Sequence, residues 1–390
     1  MNIIPEIAAR AAEYTTLRRD LHAHPELGFQ EERTAGIVAD LLHSWGIEVH
    51  RGIGGTGVVG VIRSDRPGQP AGRRIGLRAD MDALPMDEAT GLPHASKIAG
   101  RFHGCGHDGH TVMLLAAARH LAETRDFTGT VTVIFQPAEE GLGGAARMLA
   151  DGLFTRFPCE EVYALHNWPG APLGRISLKP GVAMAAADSF DIVIRGRGAH
   201  GAQPHFAIDP VMVATAITQA LQTIVSRNID PLRSATLSVT QIEAGSAYNV
   251  IPETAHLGGT IRSFDADTRA LIAARLVELA QGIAQGFGAS AEVTVTPRFS
   301  ALCNSPAQAL AAMEVARGIV GDLAQEDAEP KTGSEDFAEM LQHVPGAYLL
   351  VGQGAGPNLH NPAYDFNDAV TPIGATLLAR LAQARTAPQA

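Results

Sequence analysis

Residues 129–141, GTVTVIFQPAEEG, place an apolar run directly before two acidic residues. The segment VTVIF is β-branched and aromatic, which predicts a buried strand that ends before Glu139 and Glu140. Two similar runs, RRIGLRAD (73–80) and EVYALHNWPG (161–170), also end in polar residues. Helical patterns alternate with these strands, as in 108–124. The alternation predicts an α/β fold with a mostly parallel sheet flanked by helices.

The polar residues that follow these strands form the first candidate site. Parallel strands end at the same edge of a sheet, and binding sites of such folds form outside that edge. The chain therefore predicts that one group of side chains converges there: Asp80, Asp82, Glu139, Glu140 and His166. Asp80 and Asp82 are two positions apart, so both can point the same way and either can orient a metal-binding histidine.

The pattern of the chain changes near residue 185. The segment 188–201 alternates apolar and polar residues, as a strand with one exposed face does. Helices and strands then follow in the order β-α-β-β-α-β, which predicts an inserted ferredoxin-like domain. We therefore expect a catalytic domain formed by 1–184 and 297–390, interrupted by a smaller domain at 185–296.

Composition excludes several classes of function. Hydrophobic residues make up 46% of the chain and charged residues 18%, which is typical of a folded globular protein rather than a disordered one. The formal net charge of −11, without a long basic run, argues against nucleic acid and anionic membranes as partners. The first twenty residues lack the apolar core of a signal peptide, and three separated cysteines do not form a disulfide scaffold. These features predict a cytoplasmic protein.

One glycine-rich segment resembles a cofactor motif but lacks its context. Residues 52–57, GIGGTG, match the G-x-G-x-x-G pattern of dinucleotide-binding proteins. That motif needs a helix directly after the glycines, so that the helix N-terminus can meet the pyrophosphate. Here VVGVIR follows, which is typical of a strand. The segment therefore predicts a hairpin turn, and cofactor-dependent redox chemistry is disfavoured.

A second segment, FHGCGHDGH (102–110), carries metal-binding residue types. Cys105 and His107 are separated by one residue, and in an extended loop their side chains point the same way. Both are good ligands for a divalent metal ion. Taken alone, the loop is also compatible with a cysteine nucleophile, in which His107 or His110 is the base and Asp108 orients it. The surrounding sequence favours a metal site.

A metal site accounts for more of the polar residues at the strand ends than a cysteine nucleophile does. Adjacent carboxylates in an extended turn point apart, so one of Glu139 and Glu140 can bind metal while the other transfers protons. Five residues together form a candidate ligand set: Cys105, His107, one of Glu139 and Glu140, His166 and His360. Five ligands exceed what one tetrahedral catalytic zinc uses, and they predict two divalent ions close together. Zinc, manganese, cobalt and nickel all suit this set.

Ten motifs in order give the chain a recognisable pattern. They run from residue 24 to residue 362 and are HPELGF, LRADMDALPM, HGCGHDGHTVMLL, FQPAEEG, LHNWPG, GRGAHGAQPH, YNVIPE, GTIRSF, GSEDFA and LHNP. This series resembles the metal-dependent N-acyl-amino-acid amidohydrolases, which include hippurate hydrolases, aminoacylases and auxin-conjugate hydrolases. They belong to the wider aminoacylase/carboxypeptidase metallopeptidase family. The resemblance implies a di-metal catalytic domain and an inserted lid domain that forms a homodimer or homotetramer.

The resemblance also implies roles for individual residues. By this resemblance the metal ligands are Cys105, His107, Glu140, His166 and His360. Glu139 matches the family's general acid/base, and Asp82 matches the acid that lies behind the metals. Relatives often have histidine where this chain has Asp80, so Cys105 indicates the amidohydrolase branch. Three residues of the inserted domain match substrate-contacting positions: His200, Asn249 and Arg262. Three residues of a further matching stretch are assigned to structure instead: His22, His24 and Glu26.

The predicted reaction is hydrolysis of the amide bond of an N-acyl amino acid by a metal-activated water. Glu139 would accept the proton and deliver it to the leaving amine. His200 would help to stabilise the developing oxyanion, and Arg262 would bind the substrate carboxylate through two parallel hydrogen bonds. Alternatives are a metallo-dipeptidase or carboxypeptidase of the same family, the cysteine hydrolase, and a non-enzymatic metal-binding or ligand-binding relative. The acyl group and the amino acid are not determined by the motifs.

Overall fold

The computed structural model describes residues 1–64, 72–327 and 329–387. The chain divides into two compact units. The first unit comprises Met1–Ala183, Cys303–Pro330 and Glu335–Ala390, and the second comprises Met184–Leu302 and Lys331–Ser334. Parts of the predicted segments 1–184 and 297–390, namely 65–71, 328 and 388–390, lie outside the described residues. The roles of catalytic domain and lid stay predictions.

The first unit is built on an eight-stranded sheet within the described residues. Its strands are β1 (Glu48–Ile53), β2 (Gly57–Ser64), β3 (Arg74–Asp80), β4 (Gly129–Gln136), β5 (Glu161–Trp168), β6 (Ile176–Leu178), β15 (Ala324–Glu326) and β16 (Gly346–Gly352). They are ordered β1-β2-β4-β3-β5-β16-β6-β15. Four of the seven neighbouring pairs are parallel: β4-β3, β3-β5, β5-β16 and β6-β15. The predicted α/β class is confirmed, with a mixed sheet whose central strands are parallel.

Helices pack against this sheet because their apolar faces complete its core. They are α1 (Pro5–Ala9), α2 (Ala11–Ala23), α3 (Glu32–Ser44), α4 (His107–Thr124), α5 (Gly144–Ala150), α6 (Leu153–Arg156), α9 (Pro306–Val320), α10 (Phe337–Leu341) and α11 (Thr371–Thr386). Helix α4 is buried along nearly its whole length, and its apolar side chains join those of β3, β4 and α11 in one core. Apart from the partly buried Arg119, the helix is buried from its first residue, His107, to Ala122, and only Glu123 and Thr124 at its end are exposed.

The glycine-rich segment 52–57 is a hairpin turn. It joins β1 and β2, which pair antiparallel with Ile53 opposite Gly57. A strand follows the glycines, so the predicted hairpin is confirmed and no helix N-terminus is available for a pyrophosphate. The turn also contacts a neighbouring segment, because the Gly54 amide donates to Asp151 Oδ2 over 2.8 Å.

The second unit is a four-stranded antiparallel sheet covered by two helices. Its elements are β8 (Ala186–Arg195), α7 (Pro210–Thr223), β10 (Ala235–Ala244), β12 (Thr254–Ser263), α8 (Ala266–Gly286) and β13 (Ser290–Phe299). The strand order β10-β12-β8-β13 is the ferredoxin-like arrangement predicted from the sequence. A short pair, β9 (Ala199–His200) and β11 (Val250–Ile251), lies beside it. Its core is a separate apolar cluster that includes Phe190, Ile217 and Leu276.

The remaining short strands are β7 (Gly181–Met184) and β14 (Leu302–Asn304). Among the described residues, every helix is too short or too polar to cross a bilayer.

Candidate metal centre

The ends of three adjacent strands bring the predicted site together in the first unit. Asp80 is the last residue of β3, and Glu139 and Glu140 follow the end of β4. His166 lies in the last half of β5, two residues before Trp168 ends that strand. Because β4, β3 and β5 are parallel neighbours, these residues share one edge of the sheet.

The cysteine–histidine loop reaches the same edge through a tight turn before α4. Gly106 has a left-handed backbone, with φ 92°, and precedes His107, the first residue of the helix. A Cβ atom at Gly106 would lie 2.5 Å from Asn167 Oδ1 and 2.6 Å from Tyr364 Oη, so only glycine fits. This turn places Cys105 and His107 side by side and buries both.

Two overlapping groups of three donors include the five predicted ligands. The donor atoms of Cys105, His107 and His166 lie within 4.8 Å of one another, as do those of Cys105, Glu140 and His360. Cys105 Sγ is 3.4 Å from His166 Nε2, and His360 Nε2 is 3.3 Å from Glu140 Oε1. Because Cys105 belongs to both groups, the arrangement is compatible with two neighbouring cations. The assignment of individual ligands stays a prediction.

Carboxylates behind the donors orient the histidine rings. Asp82 Oδ1 lies 3.2 Å from His107 Nδ1, so that nitrogen can donate and Nε2 faces the donor group. Asp80 Oδ1 instead lies 2.6 Å from Nδ1 of His110, whose Nε2 is 2.7 Å from Asn167 Oδ1. Of the two aspartates considered as orienting groups, Asp82 therefore serves the candidate ligand His107. Asp80 holds the supporting residue His110.

Two buried atoms without partners test whether the site fits a metal ion. Among the described residues, His107 Nε2 and Glu140 Oε1 are buried and have no hydrogen-bond partner. Such atoms are costly unless they bind something. His166 Nδ1 donates to the Asn167 carbonyl over 2.7 Å, which leaves the Nε2 lone pair directed at Cys105. A thiol, imidazoles and a carboxylate are a donor set that suits zinc, manganese, cobalt or nickel.

The protonation states of Cys105 and His166 also fit a bound divalent cation. Burial raises the pKa of the Cys105 thiol well above its usual range, and the charge of Glu140 raises it further. Burial also lowers the pKa of His166 well below its usual range, which keeps that ring neutral. A cation at these atoms would stabilise the thiolate and use the free lone pair of the neutral imidazole.

Glu139 differs from the candidate ligands, because its surroundings favour the protonated form of its carboxyl group. It is 7% exposed, and its Oε1 accepts a hydrogen bond from the Asp336 amide over 3.4 Å. Burial and the negative charges of Glu335 and Glu140 raise the pKa of Glu139 well above its usual range. A carboxyl group with a raised pKa beside a metal-type donor cluster can accept and release a proton near neutral pH.

A buried charge network behind Glu139 was not predicted from the sequence. Arg78 is 1% exposed and donates to Asp80 over 2.7 Å, to Glu335 over 2.8 Å and to Asp336 over 3.0 Å. The Tyr348 hydroxyl donates to Glu335 Oε2 over 2.6 Å. An arginine within a buried strand is a signal that something must neutralise it. The segment GSEDF is one of the family motifs, but it lies more than 250 residues from Arg78, so the sequence does not indicate that the two pair.

Asp108, another polar residue of the loop, has partners in the fold, whereas both ring nitrogens of His103 are buried without a hydrogen-bond partner among the described residues. Asp108 Oδ2 lies 2.8 Å from His22 Nδ1 and accepts from Arg18 over 3.3 Å. The Glu26 carboxylate accepts from the Arg33 and Thr34 amides, at the start of α3. These contacts fit the structural roles expected for His22 and Glu26. Asp108 lies in the first turn of α4, where its carboxylate contacts His22 and Arg18.

The predicted substrate-contacting residues all belong to the second unit. His200 and Val250 are paired across β9 and β11, and the Gly201 amide donates to the Asn249 carbonyl over 2.7 Å. His200 and Asn249 line the same surface cavity of about 380 Å³. Arg262, on β12, donates to Thr260 Oγ1 and to the Ile261 carbonyl. Within the described part of the chain its guanidinium has no carboxylate partner.

Comparison with known proteins identifies relatives along nearly the whole chain. A family model described as peptidase family M20/M25/M40 matches residues 76–384. A hippurate hydrolase of Campylobacter jejuni is 41% identical over 98% of this chain and 99% of its own length. An N-acetyl-L-cysteine deacetylase of Bacillus subtilis is 40% identical over 90% of this chain and 83% of its own length.

A solved structure matches both the fold and the sequence. It is a Bacillus subtilis protein described as a dinuclear metal binding peptidase of the M20 family. The two chains are 35% identical and superimpose with a TM-score of 0.82, over 96% of this chain and 98% of the other.

Proposed function

Because this chain belongs to peptidase family M20/M25/M40 and is a hydrolase, we propose that it cleaves the amide bond of N-acyl amino acids. The products would be a carboxylic acid and a free amino acid. The family resemblance read from the motifs is confirmed by these relatives. Their named substrates, hippurate and N-acetylcysteine, have in common an acyl group on the nitrogen of an amino acid.

The metal ligands proposed for this reaction are Cys105, His107, Glu140, His166 and His360. The relative with a dinuclear metal site and the two overlapping donor groups both support two ions. When bound, divalent ions polarise the scissile carbonyl and lower the pKa of water from 15.7 to about 7. In our proposal Asp82 keeps the His107 ring oriented through its Nδ1 atom, over 3.2 Å.

Glu139 is proposed as the general acid/base. Its carboxylate would take a proton from the attacking water and return it to the nitrogen of the leaving amino acid. Burial and the negative charges of Glu335, Glu140 and Asp336 keep the pKa of Glu139 raised, and Arg78 fixes the carboxylates of Glu335 and Asp336. Because its pKa is raised, Glu139 can keep the proton taken from water until the amine leaves. It can then act as the acid that protonates this amine.

The substrate carboxylate is assigned to Arg262. A planar guanidinium can bind a carboxylate through two parallel hydrogen bonds, and this one is half-buried without a carboxylate partner among the described residues. His200 and Asn249 are proposed to contact the scissile amide. We further propose that the second unit acts as a lid and forms a homodimer or homotetramer, so that these two residues act within one subunit or across the interface.

The observation that carries this proposal is the cluster of five candidate ligands, in which the buried atoms His107 Nε2 and Glu140 Oε1 make no hydrogen bond among the described residues, next to Glu139 with its raised pKa. In a purely structural cluster, most buried polar atoms are hydrogen-bonded to one another. Hydrolysis with a metal ion needs ligand atoms that are free to bind the metal and a separate group that accepts a proton. His107 Nε2 and Glu140 Oε1 are candidates for the first, and Glu139 for the second.

A substrate panel tests the proposal. One acyl group would be combined with several amino acids, and one amino acid with several acyl groups. Product amino acid would be measured before and after chelation and after addition of zinc, manganese, cobalt or nickel. We expect hydrolysis that chelation abolishes and metal restores. Cleavage of dipeptides alone would instead indicate a peptidase.

The chemistry of Cys105 separates this proposal from cysteine catalysis. Full activity in a chelator, together with loss of activity after iodoacetamide, would favour Cys105 as a nucleophile and overturn the metal mechanism. Metal binding without hydrolysis of any member of the panel would indicate a non-enzymatic relative.

A further inference from the structure

We propose that Glu31 is a positioning residue, which holds the loop that carries Glu139 and Glu140 in its working conformation. The proposal rests on the proposed function, because it concerns the same loop. Glu31 is distant from this loop in sequence and is fully buried beside it. Its carboxylate would act through the backbone of Ala138, without contact to the substrate.

The contacts of Glu31 join two segments of the chain. Its Oε1 accepts a hydrogen bond from the Ala138 amide over 2.8 Å, and its Oε2 accepts one from the Thr56 hydroxyl. Thr56 belongs to the glycine-rich hairpin turn between β1 and β2. Glu31 therefore connects that turn to the loop after β4, so the hairpin helps to hold the loop that carries Glu139 and Glu140.

The loop needs such a contact because Ala138 has an unfavourable backbone. Its φ is +54°, in the left-handed region that residues with a Cβ atom rarely adopt. This conformation costs on the order of 1 kcal/mol and persists only where the surroundings impose it. Gly28 packs closely on the same residue, since a Cβ there would lie 3.0 Å from Ala138 Cα. The turn at Ala138 decides where Glu139 points.

Two buried carboxylates hold the amides on either side of Glu139. Glu31 accepts from the Ala138 amide, and Asp82 Oδ2 accepts from the Glu140 amide over 3.0 Å. The Glu139 side chain itself is held by the Asp336 amide. A base that is fixed at its backbone on both sides keeps its carboxylate within reach of one position, which is what proton transfer requires.

Other roles for Glu31 are not supported by its contacts. It precedes α3, but its side chain makes no capping hydrogen bond to that helix. Across the described ranges it forms no ion pair with a lysine, arginine or histidine. Burial raises the pKa of Glu31 to about 7, and the charge of Asp82 adds to that rise. A buried carboxyl group without a cation is costly, so its place against Ala138 needs a reason other than stability.

The experiment compares Glu31→Gln with Glu31→Met. Glutamine can accept from the Ala138 amide and donate to Thr56, so it keeps both contacts. Methionine is similar in size and leaves the Ala138 amide unsatisfied. With a metal-loaded enzyme and an N-acyl amino acid we expect kcat of Glu31→Met to fall about tenfold or more, with KM little changed. Glu31→Gln should retain kcat within about threefold.

A second readout does not depend on activity. Hydrogen–deuterium exchange of peptides that cover 137–144 should show faster exchange in Glu31→Met and protection close to wild type in Glu31→Gln. Glu161→Gln provides a matched control, because Glu161 is a buried acid at the start of β5, away from the loop. It should change stability without a change in kcat per folded molecule.

The outcomes separate this proposal from the proposed function. If Glu31→Met keeps wild-type kcat and loop protection while Glu139→Gln is inactive, Glu31 is structural and the positioning proposal is wrong. If Glu31→Gln loses as much kcat as Glu31→Met, the charge matters rather than the contact, which also overturns it. If wild type shows no metal-dependent hydrolysis, the proposed function has failed. The exchange data would then still show whether Glu31 holds the loop.

Discussion

Replacing Glu139 by glutamine should lower kcat by orders of magnitude and yet stabilise the metal-free protein at alkaline pH. Glutamine keeps the shape of the side chain and can still accept from the Asp336 amide, but it cannot transfer a proton. General acid/base groups contribute about 10²–10⁴-fold to the rate. This range corresponds to about 3–5 kcal/mol of the activation barrier. We expect kcat to fall by that factor while bound metal stays at the wild-type level.

The stabilising effect follows from the carboxylates that face Glu139. The donor oxygens of Glu139, Glu335 and Asp336 lie within 4.8 Å of one another. At an effective dielectric constant of about 20, two charges at that distance repel by about 3 kcal/mol. The guanidinium of Arg78 offsets part of this repulsion, since it donates to both Glu335 and Asp336. Removing the Glu139 charge should therefore gain on the order of 1–3 kcal/mol.

The sign of the pH dependence follows from the direction of the pKa shift. The folded-state pKa of Glu139 is raised, so its contribution to stability is present at low pH and is lost as pH rises through that pKa. Wild type loses this contribution on going from acidic to alkaline pH, and Glu139→Gln does not. The melting temperature of the metal-free variant should exceed that of wild type by about 2–6 °C at pH 8. The difference should shrink towards pH 4.5.

Calorimetry of both proteins in a chelator, from pH 4.5 to pH 8.5, measures this effect. Glu161→Gln is the matched control, because ion pairing with Arg385 opposes the effect of burial and lowers the pKa of Glu161 to about 2. The same substitution there should lower the melting temperature throughout this pH range. A Glu139→Gln variant that retains kcat within tenfold would refute the acid/base role. A variant less stable than wild type at pH 8 would refute the electrostatic reasoning.

Three further predictions concern other parts of the site. Arg78→Met should lower the free energy of unfolding, measured in denaturant, by about 3–5 kcal/mol, because it leaves buried carboxylates unpaired. As a control, Arg33→Met breaks the exposed pair with Asp20 and should lower it by at most about 1 kcal/mol. Cys105→Ser should weaken metal affinity by about tenfold or more in competition with a chelating dye, and an unchanged affinity would remove Cys105 from the ligand set. Arg262→Lys should raise KM about tenfold with little change in kcat, and substrates whose carboxylate is an amide should not distinguish the two enzymes.

The sequence was sufficient for the fold class and for the family. Apolar runs that end in polar residues identified β3, β4 and β5, and the alternating pattern after residue 185 identified the second sheet. These features are local, because a strand or helix is decided mainly by its own periodicity. The motifs around Cys105 and Glu139 were likewise continuous in sequence, so the relatives and the candidate ligands could be inferred together.

The partners of these residues could not be read from the sequence, because they are distant along the chain. Nothing in RRIGLRAD indicates that Arg78 is neutralised by Glu335 and Asp336, more than 250 residues later. Nothing near Glu31 indicates that it holds the Ala138 amide. The residue types and their order determined which chemistry the protein carries. Only the tertiary structure decided which buried charges face one another, because long-range pairing and burial, rather than local pattern, set the pKa of Glu139 and the path of its loop.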